Sequence, residues 1–206
     1  MPKLILVGGW EWVKDDGVDD YIAKLAKGKI GLIPHASKEP GRKIQEMTQK
    51  YNQFGATPRV VDSADDLIGL NVIYLSGGHP DLLMQSLSKL ELAEPLKANW
   101  LAGGIVIAGS SSGAMVMFPK MMAHGSRMKG DVELTDGLGY VGGAILVPHW
   151  DTADEDWKKR FRKTHEAKGI IAIDEHTALI WEDGKEKILG LGKVYKFGPA
   201  EIRISQ

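Results

Sequence analysis

Apolar positions fall along this chain in two alternating rhythms. Short aliphatic runs, "KLILVGG" at 3–9, "KIGLIP" at 29–34, "NVIYLSGG" at 71–78 and "GIVIAG" at 104–109, predict buried strands. Between them, "VDDYIAKLAKG" and "PDLLMQSLSKL" carry their apolar residues at helical spacing, and Ile44, Met47, Tyr51 and Phe54 predict one face of a helix that stops at Gly55. "PRVVD" at 58–62 adds a further short strand. Strands alternating with helices predict a three-layer α/β fold, a mainly parallel sheet with helices on both faces. Past Gly169 the rhythm changes: "GIIAID", "TALIWEDGKEKIL" and "KVYKFG" follow one another with a hairpin signal at Asp183-Gly184, so the sheet is expected to end in antiparallel strands. No internal repeat, low-complexity tract or linker interrupts the pattern, which predicts one domain over residues 1–206.

Composition narrows the function. Lys and Arg total 26 against 27 Asp and Glu, so the chain has no strong field to attract nucleic acid, and a small or neutral partner is expected. Cys is absent, which removes disulfides, thiolate nucleophiles and cysteine metal sites together. No other metal-ligand spacing appears, and no cofactor is expected. The opening apolar run is too short for a signal peptide and reads as a first strand. From Ala98 to Pro119 no residue is charged, yet Gly103, Gly104, Gly109 and Gly113 around three serines suit a buried strand, turn and helix better than a membrane span. A cytoplasmic location is expected, with no membrane partner; a homodimer is compatible with the composition.

In such sheets, ligands sit beyond the carboxyl ends of the strands. That rule gathers Gly77, Gly78 and His79 after "VIYLS", Ser111 after "IVIAG", His149 after "AILVP", and Asp174 and Glu175 after "IIAI". Within "GSSSGAM", Gly109-x-Ser111-x-Gly113 has the spacing of a strand-to-helix turn that exposes a serine, with helix-like "GAMVMF" behind it to supply N–H donors and a positive dipole. A structural Gly/Ser turn has the same bare spacing. A serine hydroxyl needs a base. His149 is the only histidine just past a buried strand C-terminal to the serine turn; His79 also lies at a strand end, in a loop whose backbone matters more, and His35 is a further strand-end residue at the crevice, whereas His124, His165 and His176 suit the surface or a supporting role. The orienting carboxylate is Glu175 in the favoured reading, with Asp174 and Asp151 as alternatives, because sequence does not give side-chain direction. The order serine, histidine, acid differs from the serine, acid, histidine of α/β-hydrolases. "GLGYVG" at 137–142 matches Gly-x-Gly-x-x-Gly, but a strand-like segment follows it and no helix, so it is not a dinucleotide fingerprint.

"LSGGHPDLL", "GIVIAGSSSGAMV", "VPHW" and "GIIAIDEHTALI", in this order, resemble the serine peptidases that include aspartyl dipeptidase (dipeptidase E) and cyanophycinase. The resemblance runs from "LILVGG" to "GLGKVYKF" and implies a class I glutamine amidotransferase-like fold. It also implies Ser111 as nucleophile, His149 as base, Glu175 as acid, and the backbone N–H groups of Gly78 and Ser112 as the oxyanion hole. The chain departs from the family's usual residues at three places: Ser112 replaces alanine, His79 replaces the Asn or Asp of "GGN" or "GGD", and His35 replaces the threonine of "PTAS". Two extra imidazoles would therefore line the pocket. An aspartyl substrate needs a cation, and Arg160 and Arg162 on "DEDWKKRFRKTHE" are candidates. The same stretch also reads as a solvated amphipathic helix with Trp157 and Phe161 inward. The function expected is a serine-dependent hydrolase of small peptides, of the aspartyl dipeptidase type. Its rivals are an esterase or amidase for non-peptide acyl groups, and a non-catalytic ligand-binding protein on the same fold.

Overall fold

A computed structural model of the protein describes residues 1–9, 17–125 and 132–205. Its first half follows the apolar rhythm: β1 (Lys3–Val7), α1 (Val18–Ala26), β2 (Ile30–Ile33), α2 (Pro40–Asn52), β3 (Arg59–Val60), β4 (Val72–Leu75), α3 (Pro80–Lys89), α4 (Ala93–Leu101) and β5 (Val106–Ser110). These strands run parallel in the order β1-β5-β4-β2-β3. Successive side chains of a strand point to opposite faces, and β1 shows both layers. Ile5 and Val7 join Ile22 of α1 and Met47 and Tyr51 of α2, while Leu4 and Leu6 join Leu83 and Leu87 of α3 and Leu96 and Trp100 of α4. Pro40 and Pro80 begin their helices, where the fixed proline φ suits the first turn and no helical N–H is lost. Two expectations are corrected: α2 ends at Asn52, leaving Phe54 beyond it and 41% exposed, and only Arg59 and Val60 of "PRVVD" pair, as an edge strand.

Past β5 the chain enters α5 (Ser112–Met115), a single turn where "GAMVMF" suggested a longer helix. The reason lies in residues 137–141. Leu138 N–H donates to Val116 O at 2.7 Å and Val141 N–H donates to Met117 O at 3.1 Å, so these carbonyls serve incoming chain and cannot propagate the helix, and Pro119 follows. That is the use the fold makes of "GLGYVG". With one turn there is no macrodipole to invoke. The uncharged stretch from Ala98 to Pro119 thus contains the end of α4, β5 and α5, and no helix among the described residues is long and apolar enough to cross a membrane.

The second half holds β6 (Lys120–Met122), β7 (Leu134–Asp136), β8 (Val141–Gly142), β9 (Ile145–Val147), α6 (Glu155–His165), β10 (Ile170–Ile173), β11 (Thr177–Glu182), β12 (Lys185–Gly190), β13 (Val194–Phe197) and β14 (Arg203–Ile204). β11 lies antiparallel on β1, from Lys3↔Glu182 to Val7↔Ala178, and β12 returns along it through Asp183-Gly184, both at positive φ as a two-residue hairpin of this kind requires. The main sheet therefore does end in antiparallel strands. β10 and β13 do not join it. They form a separate sheet in the order β13-β10-β9, with β9 parallel to β10, because β11 already closes the free edge of β1.

Candidate active site

The serine turn is built by close backbone contact. A Cβ on Gly109 would lie 2.2 Å from Gly113 O, and one on Gly113 would lie 2.2 Å from Leu75 O, so neither position tolerates a side chain. Ser111 takes φ 50° and ψ −108°, its N–H donates to Val7 O at 3.0 Å, and its carbonyl accepts from Ala114 and Met115 at 3.0 and 2.9 Å. The turn thereby lifts the Ser111 side chain out of the sheet at the carboxyl end of β5. There it meets His149, whose Nε2 is 2.9 Å from Ser111 Oγ.

His149 follows β9 and also has positive φ, 53°. Its N–H donates to Gly8 O at 2.8 Å, and Gly9 packs so close that a Cβ there would lie 2.0 Å from His149 Cε1. On the far side of the ring, Nδ1 is 2.8 Å from Glu175 Oε1. With the imidazole neutral and its proton on Nδ1, that nitrogen donates to Glu175 and Nε2 accepts from the Ser111 hydroxyl. The carboxylate is largely covered, its side chain 12% exposed, which strengthens its hold on the ring.

The three carboxylates weighed from sequence part company here. Glu175 points to His149. Asp174, next to it at the end of β10, turns the other way: its Oδ2 accepts from Lys193 N–H at 2.9 Å, and burial pushes its carboxyl above the usual aspartate range. Asp151 does not face the imidazole but accepts from Glu175 N–H through Oδ1 at 2.8 Å, pinning the backbone of the residue that does.

Gly78 and Ser112 lie together, the Ser112 hydroxyl donating to Gly78 O at 2.6 Å. Among the described residues neither Gly78 N–H nor Ser112 N–H has an acceptor. Beside them His79 stacks on His124, ring centroids 3.6 Å apart, and burial followed by the nearby His124 and Lys38 lowers the His79 imidazole below its ordinary value. His35 is turned elsewhere, with Nε2 3.1 Å from Asp62 Oδ1 at the β3 end. The arginines are not brought to the serine either. Arg162 pairs with Glu166 and lies over the Phe197 ring at 4.1 Å, while the exposed Arg160 borders a cleft with Trp157, Phe161 and His165. Trp157 and Phe161 are buried, as the amphipathic reading of this helix has it, and so is His165, which sequence placed at the surface or in support.

A cleft of about 400 Å³ opens between Gly77–His79 and the start of α2, with Lys38 and Arg42 on its wall. Sequence reasoning passed over those cations, although "HASKEPGRK" directly after a predicted strand end was the signal. It also passed over Gly8 and Gly9, whose carbonyls receive the N–H groups of His149 and His176. Among the described residues no cluster of His, Asp and Glu side chains is arranged to hold a metal ion.

Comparison with known proteins agrees with this architecture. The model of peptidase family S51 matches residues 4–189. The chain is 26% identical over 198 residues to a cyanophycinase of Trichormus variabilis, covering 87% of this chain and 66% of that protein, so it spans just under two thirds of that relative's length. It is 29% identical over 131 residues to an uncharacterized peptidase of Pasteurella multocida, covering 59% of this chain and 62% of that one. The crystal structure of a peptidase from an acI-B1 actinobacterium superposes with a TM-score of 0.71 at 22% identity, over 99% of this chain and 97% of the other. A putative peptidase E from Listeria monocytogenes gives 0.68 at 21%, over 93% and 100%. These two likenesses show the fold, a mainly parallel sheet between helix layers. With the match to the family model running over 4–189 of 206 residues, the chain belongs to peptidase family S51.

Proposed function

We propose that the protein is a serine-dependent hydrolase of small peptides, acting as a dipeptidase through an acyl-enzyme on Ser111. The observation that carries the reading is the continuous contact from Ser111 Oγ to His149 Nε2 and from His149 Nδ1 to Glu175 Oε1, at 2.9 and 2.8 Å. As Ser111 Oγ attacks the peptide carbonyl, its proton passes to His149 Nε2, and Glu175 stabilises the imidazolium. The carbonyl oxygen gains the negative charge and turns toward the N–H groups of Gly78 and Ser112. Collapse breaks the C–N bond, and His149 returns the proton to the leaving amine. Water then attacks the acyl-serine with the same base, releasing the acid and restoring Ser111.

An acidic substrate side chain requires a cation. Arg162 is paired with Glu166, which favours Lys38 in the cleft beside Gly77–His79 as the group that receives it. Membership of peptidase family S51 and the kinship with a cyanophycinase support a peptide substrate over an ester. The test is a dipeptide library, Asp-Leu included, followed by mass spectrometry with wild type and Ser111→Ala in parallel. Ser111→Ala is expected to lower turnover at least ~10³-fold while melting as a folded protein, because the members of such an array act as a unit. Turnover in Ser111→Ala equal to wild type would sink the assignment. Faster cleavage of short acyl esters than of any dipeptide would move it to the esterase reading.

A further inference from the structure

We infer that the Ser112 hydroxyl is a positioning group for the oxyanion-binding N–H of Gly78, an inference that rests on the reading of Ser111 as nucleophile. An N–H stabilises a developing oxyanion only if its direction is fixed before the charge appears. Glycine is the residue least able to fix its own backbone. Gly78 cannot be exchanged for anything stiffer: it sits at φ 145°, and a Cβ there would lie 2.3 Å from Ala36 O. The loop after β4, exposed at Gly78, therefore needs external support.

The structure supplies it by gripping one peptide unit at both ends. The Ser112 Oγ–H donates to Gly78 O at 2.6 Å, and the N–H on the other end of that peptide, His79 N–H, donates to Ala36 O at 2.7 Å. On the other side of Gly78, Ser76 N–H donates to Ile33 O at 3.1 Å. The only backbone between these anchors is Gly77 and Gly78, so fixing the Gly78–His79 plane restricts the direction of the Gly78 N–H. The donor that does this is itself immobile, since Ser112 is 1% exposed and opens the turn that carries Ser111. One side chain thus locks the loop bearing one N–H to the turn bearing the other N–H and the nucleophile.

Alanine at 112 keeps the turn and its own backbone N–H but releases the grip. The loss should therefore appear where the oxyanion forms and leave ground-state binding intact. The experiment measures kcat, KM and thermal melting for the full-length wild type, Ser112→Ala, Ser112→Cys and Ser111→Ala, on Asp-Leu and on the library dipeptide cleaved fastest. Ser112→Cys keeps nearly the same volume and donates weakly, so it reports even if alanine disturbs folding. The expected result is a kcat about 10-fold lower in Ser112→Ala, smaller than the loss of a whole oxyanion donor, with KM within about twofold, and an intermediate kcat in Ser112→Cys. A lowered melting temperature with kcat unchanged would mean a merely structural hydroxyl and overturn the inference. So would a raised KM with kcat unchanged, or kcat within about twofold of wild type in both variants. Hydrolysis that survives Ser111→Ala, or a wild type that cleaves no peptide, overturns the nucleophile reading and this one with it.

Discussion

Ser111 holds backbone torsions, φ 50° and ψ −108°, that mirror the extended region and are open to glycine but costly to any L residue. His149 at φ 53° and His176 at φ 55° lie in the left-handed region close by. Such strain persists only where surroundings over-determine it, here through Ser111 N–H to Val7 O and two N–H donors on the Ser111 carbonyl. Removing the side chain altogether should release it. At an ordinary site glycine is about 0.5–1 kcal/mol less stable than alanine. At 111 the order should invert, with Ser111→Gly more stable than Ser111→Ala by about 1 kcal/mol in urea unfolding, since the strain relieved is on the order of 1–3 kcal/mol. Alanine the more stable of the two would remove the strain argument. The strain itself was not legible beforehand, because sequence shows that a serine follows a strand, not the torsions that follow from three sheet and turn hydrogen bonds. Glu175 and Asp174 show the same limit: adjacent at one strand end, they point to His149 and to Lys193 N–H respectively.

At the scale of elements, α6 was the most legible. The four-residue spacing of Trp157, Phe161 and His165 sets all three on the buried face, and Asp154 caps the first turn by accepting from Trp157 N–H at 2.9 Å. What spacing hid was the state of His165: packed on Phe161 at 4.7 Å between ring centroids, it has a buried Nδ1 with no acceptor or donor among the described residues. Burial, with Lys168 nearby, lowers its imidazole below the ordinary value of 6.5. As pH falls through 6.5, the unfolded chain takes up a proton that the folded chain refuses, so stability falls with pH, and His79 acts in the same direction. His165→Phe keeps the ring contact and discards the unpartnered nitrogen. It should raise stability at neutral pH by about 1 kcal/mol and flatten the decline between pH 7 and 5. Urea unfolding of both proteins across that range is the check, and parallel curves would show that His165 contributes nothing to acid sensitivity. The length of α5 was hidden for a related reason, since the N–H groups that cap it early belong to Leu138 and Val141, distant in sequence.

At the scale of the whole molecule the proposed machinery straddles a joint. Ser111 belongs to the main sheet through β5, whereas His149 and Glu175 follow β9 and β10 of the small one. The end of β1 holds the two together: the successive carbonyls of Val7, Gly8 and Gly9 accept from the N–H groups of Ser111, His149 and His176 at 3.0, 2.8 and 3.2 Å. The alternating pattern revealed β1 as a strand, and the strand-end rule gathered Ser111, His149 and Glu175, whose side chains the structure places in contact, yet the division into two sheets and this carbonyl ladder lay outside any local pattern. Gly9 is where the joint meets the His149 ring. It has φ 133°, and any Cβ would stand 2.0 Å from the His149 ring, so the ring must swing or the ladder must open. Gly9→Ala touches neither Ser111 nor Glu175 chemically, but it should displace His149 from between them. A displacement of about 1 Å costs roughly 10²-fold, so kcat/KM on the best dipeptide should fall at least that far, with circular dichroism and cooperative melting still those of a folded protein. Full turnover in Gly9→Ala would mean that the histidine is positioned by something other than this joint.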